Sequence, residues 1–169
     1  MLASTCDRVV FAVPPDRVDG EGRVAGGRTR SESVRNALAA APEAEIVVIH
    51  DAARPFVTEA LVRECVAVVE AGADGAIAAA PVTDTVKEAD ADRRVTRTLD
   101  RSHLWAIQTP QVFRAQILKR ALEGDLAGAT DDASLVEQLG GDVRIVEAPA
   151  SNFKITYPED LARAETLLC

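Results

Sequence analysis

The chain has 169 residues, 47% hydrophobic and only 4% aromatic, with a formal net charge of -8 and a pI near 4.8. That length suits one domain with a sizeable core, and the acidic balance disfavours nucleic-acid binding, which needs a basic surface to neutralise phosphates. No apolar run approaches the roughly 20 residues that span a bilayer. The opening residues lack a basic segment followed by an apolar one, so the expectation is a cytoplasmic protein without a secretory signal. Cys6, Cys65 and Cys169 are odd in number and far apart, which fits neither a disulfide framework nor a zinc spacing.

Residues 8–13 read as a strand stopped by Pro14 and Pro15, followed by a polar loop to Gly26 and Gly27. Val34, Ala37, Leu38 and Ala41 recur at helical spacing, and Thr29, Ser31 or Ser33 can cap that helix. Four β-branched residues, Ile46, Val47, Val48 and Ile49, suit a strand buried on both faces, as in a parallel sheet. Open α/β sheets bind ligands beyond the carboxyl ends of their strands, which is where His50, Asp51 and Arg54 fall. Asp51 suits a metal or a hydroxyl and Arg54 an anion; a surface pair between the two explains them equally well. Thr58 caps a helix through Leu61, Val62, Cys65, Val66 and Val69, with Gly72 placed to end it, and residues 75–80 form a small-residue strand.

The rhythm changes at Val82. Residues 82–87 and 95–99 read as two polar strands joined by a turn over 90–94, a hairpin leaving the main sheet. Such an arm exposes two edges that proteins commonly cover with a second subunit, so a homodimer is expected. Residues 104–107 and 108–111 bring the chain back, with Trp105 in the core or an interface. A helix follows through Ile117, Leu118, Ala121 and Leu122, then one capped by Thr130 through Ala133, Val136 and Leu139, ending at Gly140. Asp131 and Asp132 look like a metal pair, but a helix start accounts for them through its dipole. Residues 143–146 form a last strand. Thr156 and Glu159 box the start of a closing helix, with Pro158 in its first turn and Leu161, Ala164 and Leu168 along it. The alternation indicates an α/β domain with a mostly parallel sheet, helices on both faces and an arm over 82–99. His50 and His103 read as packed or hydrogen-bonded side chains without a catalytic role.

Seven segments carry polar residues that packing does not need. They are Gly-Gly-Arg-Thr-Arg-Ser-Glu-Ser-Val at 26–34, His-Asp-Ala-Ala-Arg-Pro-Phe at 50–56, Pro-Val-Thr-Asp-Thr-Val-Lys at 81–87, Asp-Arg-Ser-His-Leu-Trp at 100–105, Gln-Thr-Pro-Gln-Val-Phe at 108–113, Ala-Thr-Asp-Asp-Ala at 129–133 and Asn-Phe-Lys-Ile-Thr-Tyr-Pro-Glu-Asp-Leu at 152–161. In this order and spacing the chain resembles the 2-C-methyl-D-erythritol 4-phosphate cytidylyltransferase family of the non-mevalonate isoprenoid route, over nearly its whole length. The resemblance implies a Rossmann-like nucleotidyltransferase fold and magnesium-dependent attack of the sugar-alcohol phosphate on the α-phosphorus of CTP, releasing pyrophosphate. Such transfers depend on positioning and charge stabilisation more than on a protein nucleophile, and no Ser-His-Asp or Cys-His arrangement is visible.

By the same resemblance, Arg101 and Lys154 match the positions that hold the substrate phosphate for attack, and Arg54, Thr85 and Thr109 match further substrate contacts. Gly27 and Ser33 match the cytosine site, and Asp51 faces hydroxyls or Mg2+. The family's arm reaches across a homodimer, so Thr85 and Arg101 would complete a partner's site. Plainer explanations are a surface ion pair of Arg101 with Asp100 or Glu88, a solvated Lys154, a turn glycine and a helix cap. Family members open with a strand, a loop close to Ala-Ala-Gly-x-Gly-x-Arg, a Pro-Lys pair and a helix, none of which is present before Arg8, and Met1 falls near the end of the family's first helix. Residues 1–169 are therefore expected to be one domain holding the substrate half and the arm, with most of the triphosphate half missing, and to turn over CTP poorly by themselves. The alternatives are a ribitol 5-phosphate cytidylyltransferase, less similar over 101–105 and 129–133, and a non-catalytic sugar-phosphate-binding remnant.

Overall fold

The structure, a computed structural model, describes residues 4–126 and 128–167. Its elements are β1 (Phe11–Val13), β2 (Arg23–Ala25), α1 (Arg30–Ala39), β3 (Ile46–Ile49), α2 (Glu59–Glu70), β4 (Gly75–Pro81), β5 (Lys87–Ala89), β6 (Val95–Thr98), β7 (Trp105–Arg114), α3 (Ala115–Glu123), α4 (Asp132–Gln138), β8 (Val143–Glu147) and α5 (Pro158–Thr166). The main sheet has the order β3-β7-β4-β8. β4 and β8 are parallel, while β7 is antiparallel to both β3 and β4. Three strands thus run one way, as the alternation of elements predicts, and β7 runs against them.

Both faces of the sheet are covered. On one side Val62, Cys65 and Val69 of α2 pack on Ala76, Ala78 and Val112; on the other, Leu38 of α1, Leu118 and Leu122 of α3 and Val136 of α4 enclose Ile77 and Phe113. β3 serves both layers, with Ile46 and Val48 turned to α2 and Val47 and Ile49 to the opposite side. Its residues are nonetheless only half-buried. The β-branched run earns two covered faces, but β3 pairs with β7 alone and its other edge meets no strand among the described residues.

β7 unites two stretches that read separately, because Pro110 looks like a break. The register with β4 jumps from Ile77↔Gln111 to Ala79↔Ile107. Residues 108–110 thus leave the ladder as a bulge, where a proline's missing N–H costs no strand bond. The bulge turns Gln108 and Thr109 toward the site.

Several local expectations shift. The first strand covers only Phe11–Val13, and the loop after it contains a short turn of 3-10 helix, Pro15–Arg17, and β2, which pairs in parallel with β1. The arm's first strand begins at Lys87, and residues 82–86 are irregular. α4 is capped by Asp131 rather than Thr130, since Asp131 Oδ1 accepts from Ser134 N at 2.9 Å, and Leu139 falls just past its end. At α5 it is Asp160, not Glu159, that accepts from the Thr156 and Tyr157 amides, both at 2.9 Å. Leu161 is exposed while Ala164 is buried; Leu168 and Cys169 lie outside the described residues. Thr29 and Thr58 cap α1 and α2 as expected, and Cys65 is buried. No described helix is long and apolar enough to cross a membrane.

Candidate functional site

The carboxyl end of β3, the bulge of β7 and the segment entering α5 surround a cleft of about 280 Å³, lined in part by Arg30, Asp51, Arg54, Thr109, Gln111 and Lys154. The loop after β3 is tightly wound: Arg54 N donates to Asp51 O at 2.9 Å, and His50 Nε2 lies 3.0 Å from Arg54 O. Asp51 N donates to Thr109 Oγ1 at 3.0 Å, which ties that loop to the bulge. Ile155 N donates to Ala53 O at 2.8 Å and Arg54 Nη1 to Asn152 O at 2.8 Å, docking the last segment. Asn152 in turn donates to Gln108 Oε1 and Thr109 O.

A line of charge runs through the cleft. Lys154 Nζ lies 3.0 Å from Asp51 Oδ2, Arg30 Nε lies 3.3 Å from Asp51 Oδ1, and Arg30 Nη1 bonds Asp132 Oδ2. Burial by itself would raise the Asp51 carboxyl, but the Lys154 hydrogen bond and the charges of Arg30 and Lys154 hold it below its ordinary pKa. Burial likewise opposes the charge on Arg30, and Asp132 outweighs it, so the guanidinium is held above its ordinary value. Asp132 has no exposed surface, and burial pushes its carboxyl up against the pull of Arg30.

Arg54 Nε, Gln111 Oε1, Asp132 Oδ1 and Asn152 Oδ1 are buried without a hydrogen-bond partner among the described residues. All four belong to residues of this cleft or to their direct partners. Such groups are rare in folded proteins and mark places where a polar ligand can complete the bonding.

Magnesium is a poor match to protein groups alone. Both Asp51 oxygens already face cations, and no cluster of three or more His, Cys, Asp or Glu among the described residues could hold a metal. An ion here would take most of its oxygen ligands from nucleotide phosphates.

The other expected site residues lie elsewhere. Ser33 Oγ accepts from Gly27 N at 3.0 Å and donates to Thr29 O at 2.9 Å, so turn and cap form one unit at the start of α1. A Cβ on Gly27 would sit 2.2 Å from Glu32 Cβ, so the turn has no room for a side chain. Arg101, on the turn Arg101–His103, donates through Nη1 to Thr83 O instead of pairing with Asp100 or Glu88. It is exposed, as is Thr85.

Arg30 and Gln111 are site residues with no role in the sequence reading, and Asp132, read there as part of an acidic helix start, belongs to the site as well. One signal existed: Arg30 opens α1, where the helix dipole disfavours a cation, so another group had to want it there.

The sequence model of 2-C-methyl-D-erythritol 4-phosphate cytidylyltransferase (IspD) matches residues 1–169. The chain belongs to this family. The protein of that name from Syntrophus aciditrophicus is 50% identical over 153 residues, covering 87% of this chain and 64% of the relative. The one from Rubrobacter xylanophilus is 52% identical over 147 residues, covering 84% and 63%. The chain thus spans a little under two thirds of the length of these two relatives. A solved structure, the 4-diphosphocytidyl-2C-methyl-D-erythritol synthase of Anaerococcus prevotii, matches with a TM-score of 0.89 at 30% identity, over 99% of this chain and 82% of that one. The α/β fold is therefore that of IspD proteins. Within it, Asp51, Arg54, Thr109 and Lys154 meet in one cleft, Gly27 and Ser33 stand at the start of α1, and Thr85 and Arg101 flank the arm.

Proposed function

We propose that the protein transfers the cytidylyl group of CTP to 2-C-methyl-D-erythritol 4-phosphate in isoprenoid biosynthesis, forming the CDP-linked alcohol and pyrophosphate. Beyond family membership, the observation that carries this reading is the cleft in which Lys154, Arg30 and Arg54 surround one ionised carboxylate, Asp51. In the reaction a phosphate oxygen of the sugar alcohol bonds to the α-phosphorus, the bond to the β-phosphate bridge breaks, and pyrophosphate leaves with the electron pair. Most of the catalysis in such a transfer is positioning and charge stabilisation.

Lys154 supplies a point charge and Arg54 a planar fork with its Nε still unpartnered, both suited to the phosphate. Asp51 is kept ionised and accepts from a ligand hydroxyl. Gly27 and Ser33 line the approach of the base. A magnesium ion would take most of its oxygen ligands from the triphosphate, with Asp51 as the carboxylate proposed to share in holding it, and would offset the triphosphate's charge. Thr85 and Arg101 lie on the arm outside their own chain's cleft, which suits a homodimer in which each arm completes the other subunit's site. A cytoplasmic location belongs to the same reading.

Pyrophosphate release with CTP, magnesium and methylerythritol phosphate tests the proposal, with calorimetric binding of the sugar phosphate alongside. Slow release that requires both substrates is expected. Equal release with ribitol 5-phosphate, or sugar-phosphate binding with no CTP binding and no release, overturns it in favour of the ribitol enzyme or a binding remnant.

A further inference from the structure

Thr109 Oγ1 lies 3.0 Å from the Asp51 amide nitrogen and 3.0 Å from His50 Nδ1. At the other end of the same imidazole, Nε2 lies 3.0 Å from the Arg54 carbonyl oxygen. A carbonyl oxygen only accepts, so Nε2 carries a proton; in a neutral ring Nδ1 is then bare and only accepts. The hydrogen of the Thr109 hydroxyl therefore goes to His50, and one of its lone pairs takes the Asp51 N–H. One lone pair remains.

Gln111 is oriented in a parallel way. Its Nε2 donates to Asp131 Oδ2 at 2.8 Å, which leaves Oε1 buried and unpartnered. Two uncharged side chains of the cleft thus present acceptors and no free donor on those atoms. A phosphate dianion offers acceptors only and gains nothing from either group.

We propose that His50 is a positioning residue that makes Thr109 an acceptor, so that the cleft sorts its ligand by chemistry: phosphate toward Lys154 and Arg54, hydroxyl donors toward Thr109 and Gln111. This rests on the reading that the ligand is a sugar-alcohol phosphate, and it gives Thr109 the task of recognising a hydroxyl instead of a phosphate oxygen. His50 never touches the ligand; it acts through the hydroxyl it orients.

Two measurements test it. Long-range proton–nitrogen correlation on the labelled protein at pH 7, assigned with a His103→Gln variant, is expected to show His50 Nε2 protonated and Nδ1 bare; a proton on Nδ1, or on both nitrogens, overturns the proposal. Calorimetry with Thr109→Val and His50→Leu is expected to show methylerythritol phosphate bound roughly 3- to 10-fold more weakly, the size of one neutral hydrogen bond, with inorganic phosphate unaffected. His50→Gln, whose amide can donate to Arg54 O and accept from Thr109, should restore most of the loss. Equal weakening of both ligands makes Thr109 a phosphate donor and overturns the proposal. A wild-type protein that binds inorganic phosphate but not methylerythritol phosphate overturns the substrate reading instead, while the ring nitrogens still report which way the hydroxyl points.

Discussion

Lys154 Nζ and Asp51 Oδ2 are 3.0 Å apart, although 103 residues separate them in the chain. The pair joins the end of β3 to the segment before α5 and so closes one wall of the cleft. Lys154 is 45% exposed, and pairs so open to water add little stability. Asp51 still carries a pH signature. Its folded pKa lies below the ordinary 3.8, so its contribution is complete above that value and is lost as pH falls through the folded one. Asp51→Asn should flatten the acid limb of stability below pH about 4 in urea titrations and change stability at pH 7 by no more than about 1 kcal/mol. An acid limb identical to the parent's would refute this.

Arg30 and Asp132 form the costlier pair to break. Asp132 has no exposed surface, whereas Arg30 keeps 35%. Arg30→Leu strands a buried carboxylate, and because the arginine is partly solvated the loss should be about 2 kcal/mol, short of that for a fully buried pair. Without the guanidinium's pull, burial raises Asp132 further, so this variant should lose stability as pH rises from 4 to 7. Adding Asp132→Asn should recover part of the loss and remove that slope, which a double-mutant cycle in urea measures.

Much of this fold is legible because caps and periodicity agree. Thr58 and the apolar spacing of Leu61, Val62, Cys65 and Val69 define α2, and the buried face is the one that spacing marks. β2 escapes notice because Val24 is its only strongly apolar residue, too little for a pattern. β7 reads as two pieces since a proline in a strand is a break unless a bulge accommodates it, and a bulge depends on the partner strand. Asp51 and Arg54 stand out locally at a strand end, but the approach of Arg30 to Asp132, 102 residues away, depends on how α1 and α4 pack. Asp131 explains the acidic helix start, which hides that Asp132 turns inward.

Gly27 and Glu32 make the start of α1 intolerant of a side chain. An alanine Cβ would meet Glu32 Cβ at 2.2 Å, near the root of the side chain, where little can swing away. Glu32 Oε2 also accepts from Arg28 N at 2.6 Å, so displacing it opens the turn. Gly27→Ala should cost about 1–3 kcal/mol in thermal or urea unfolding, the range for forced overpacking, and should weaken CTP binding more than sugar-phosphate binding. An unperturbed melting curve would show that the turn yields freely.

The Cys65 thiol is fully buried and pushed up to about 12, chiefly by desolvation. Thiolates are the reactive form, so alkylation at pH 8 should reach Cys65 only when α2 opens. Mass spectrometry of peptides after timed labelling should find Cys6, which is partly exposed, modified well before Cys65. Labelling of both at one rate in native buffer would mean that α2 opens readily.

Val95 is 62% exposed on β6, in an arm whose strands are exposed throughout. Lys87 Nζ donates to Thr98 Oγ1 and Arg97 pairs with Glu88, so the two strands bond one another while the Val95 side chain stays exposed. If a second arm covers it, Val95→Asp places a charge in that interface, and the loss of apolar burial and the desolvation cost act in the same direction. Sedimentation at micromolar concentration should then find the parent dimeric and the variant shifted toward monomer, with unfolding of the main sheet unchanged. A parent that sediments as a monomer, or a variant that stays dimeric, removes the arm from the assembly.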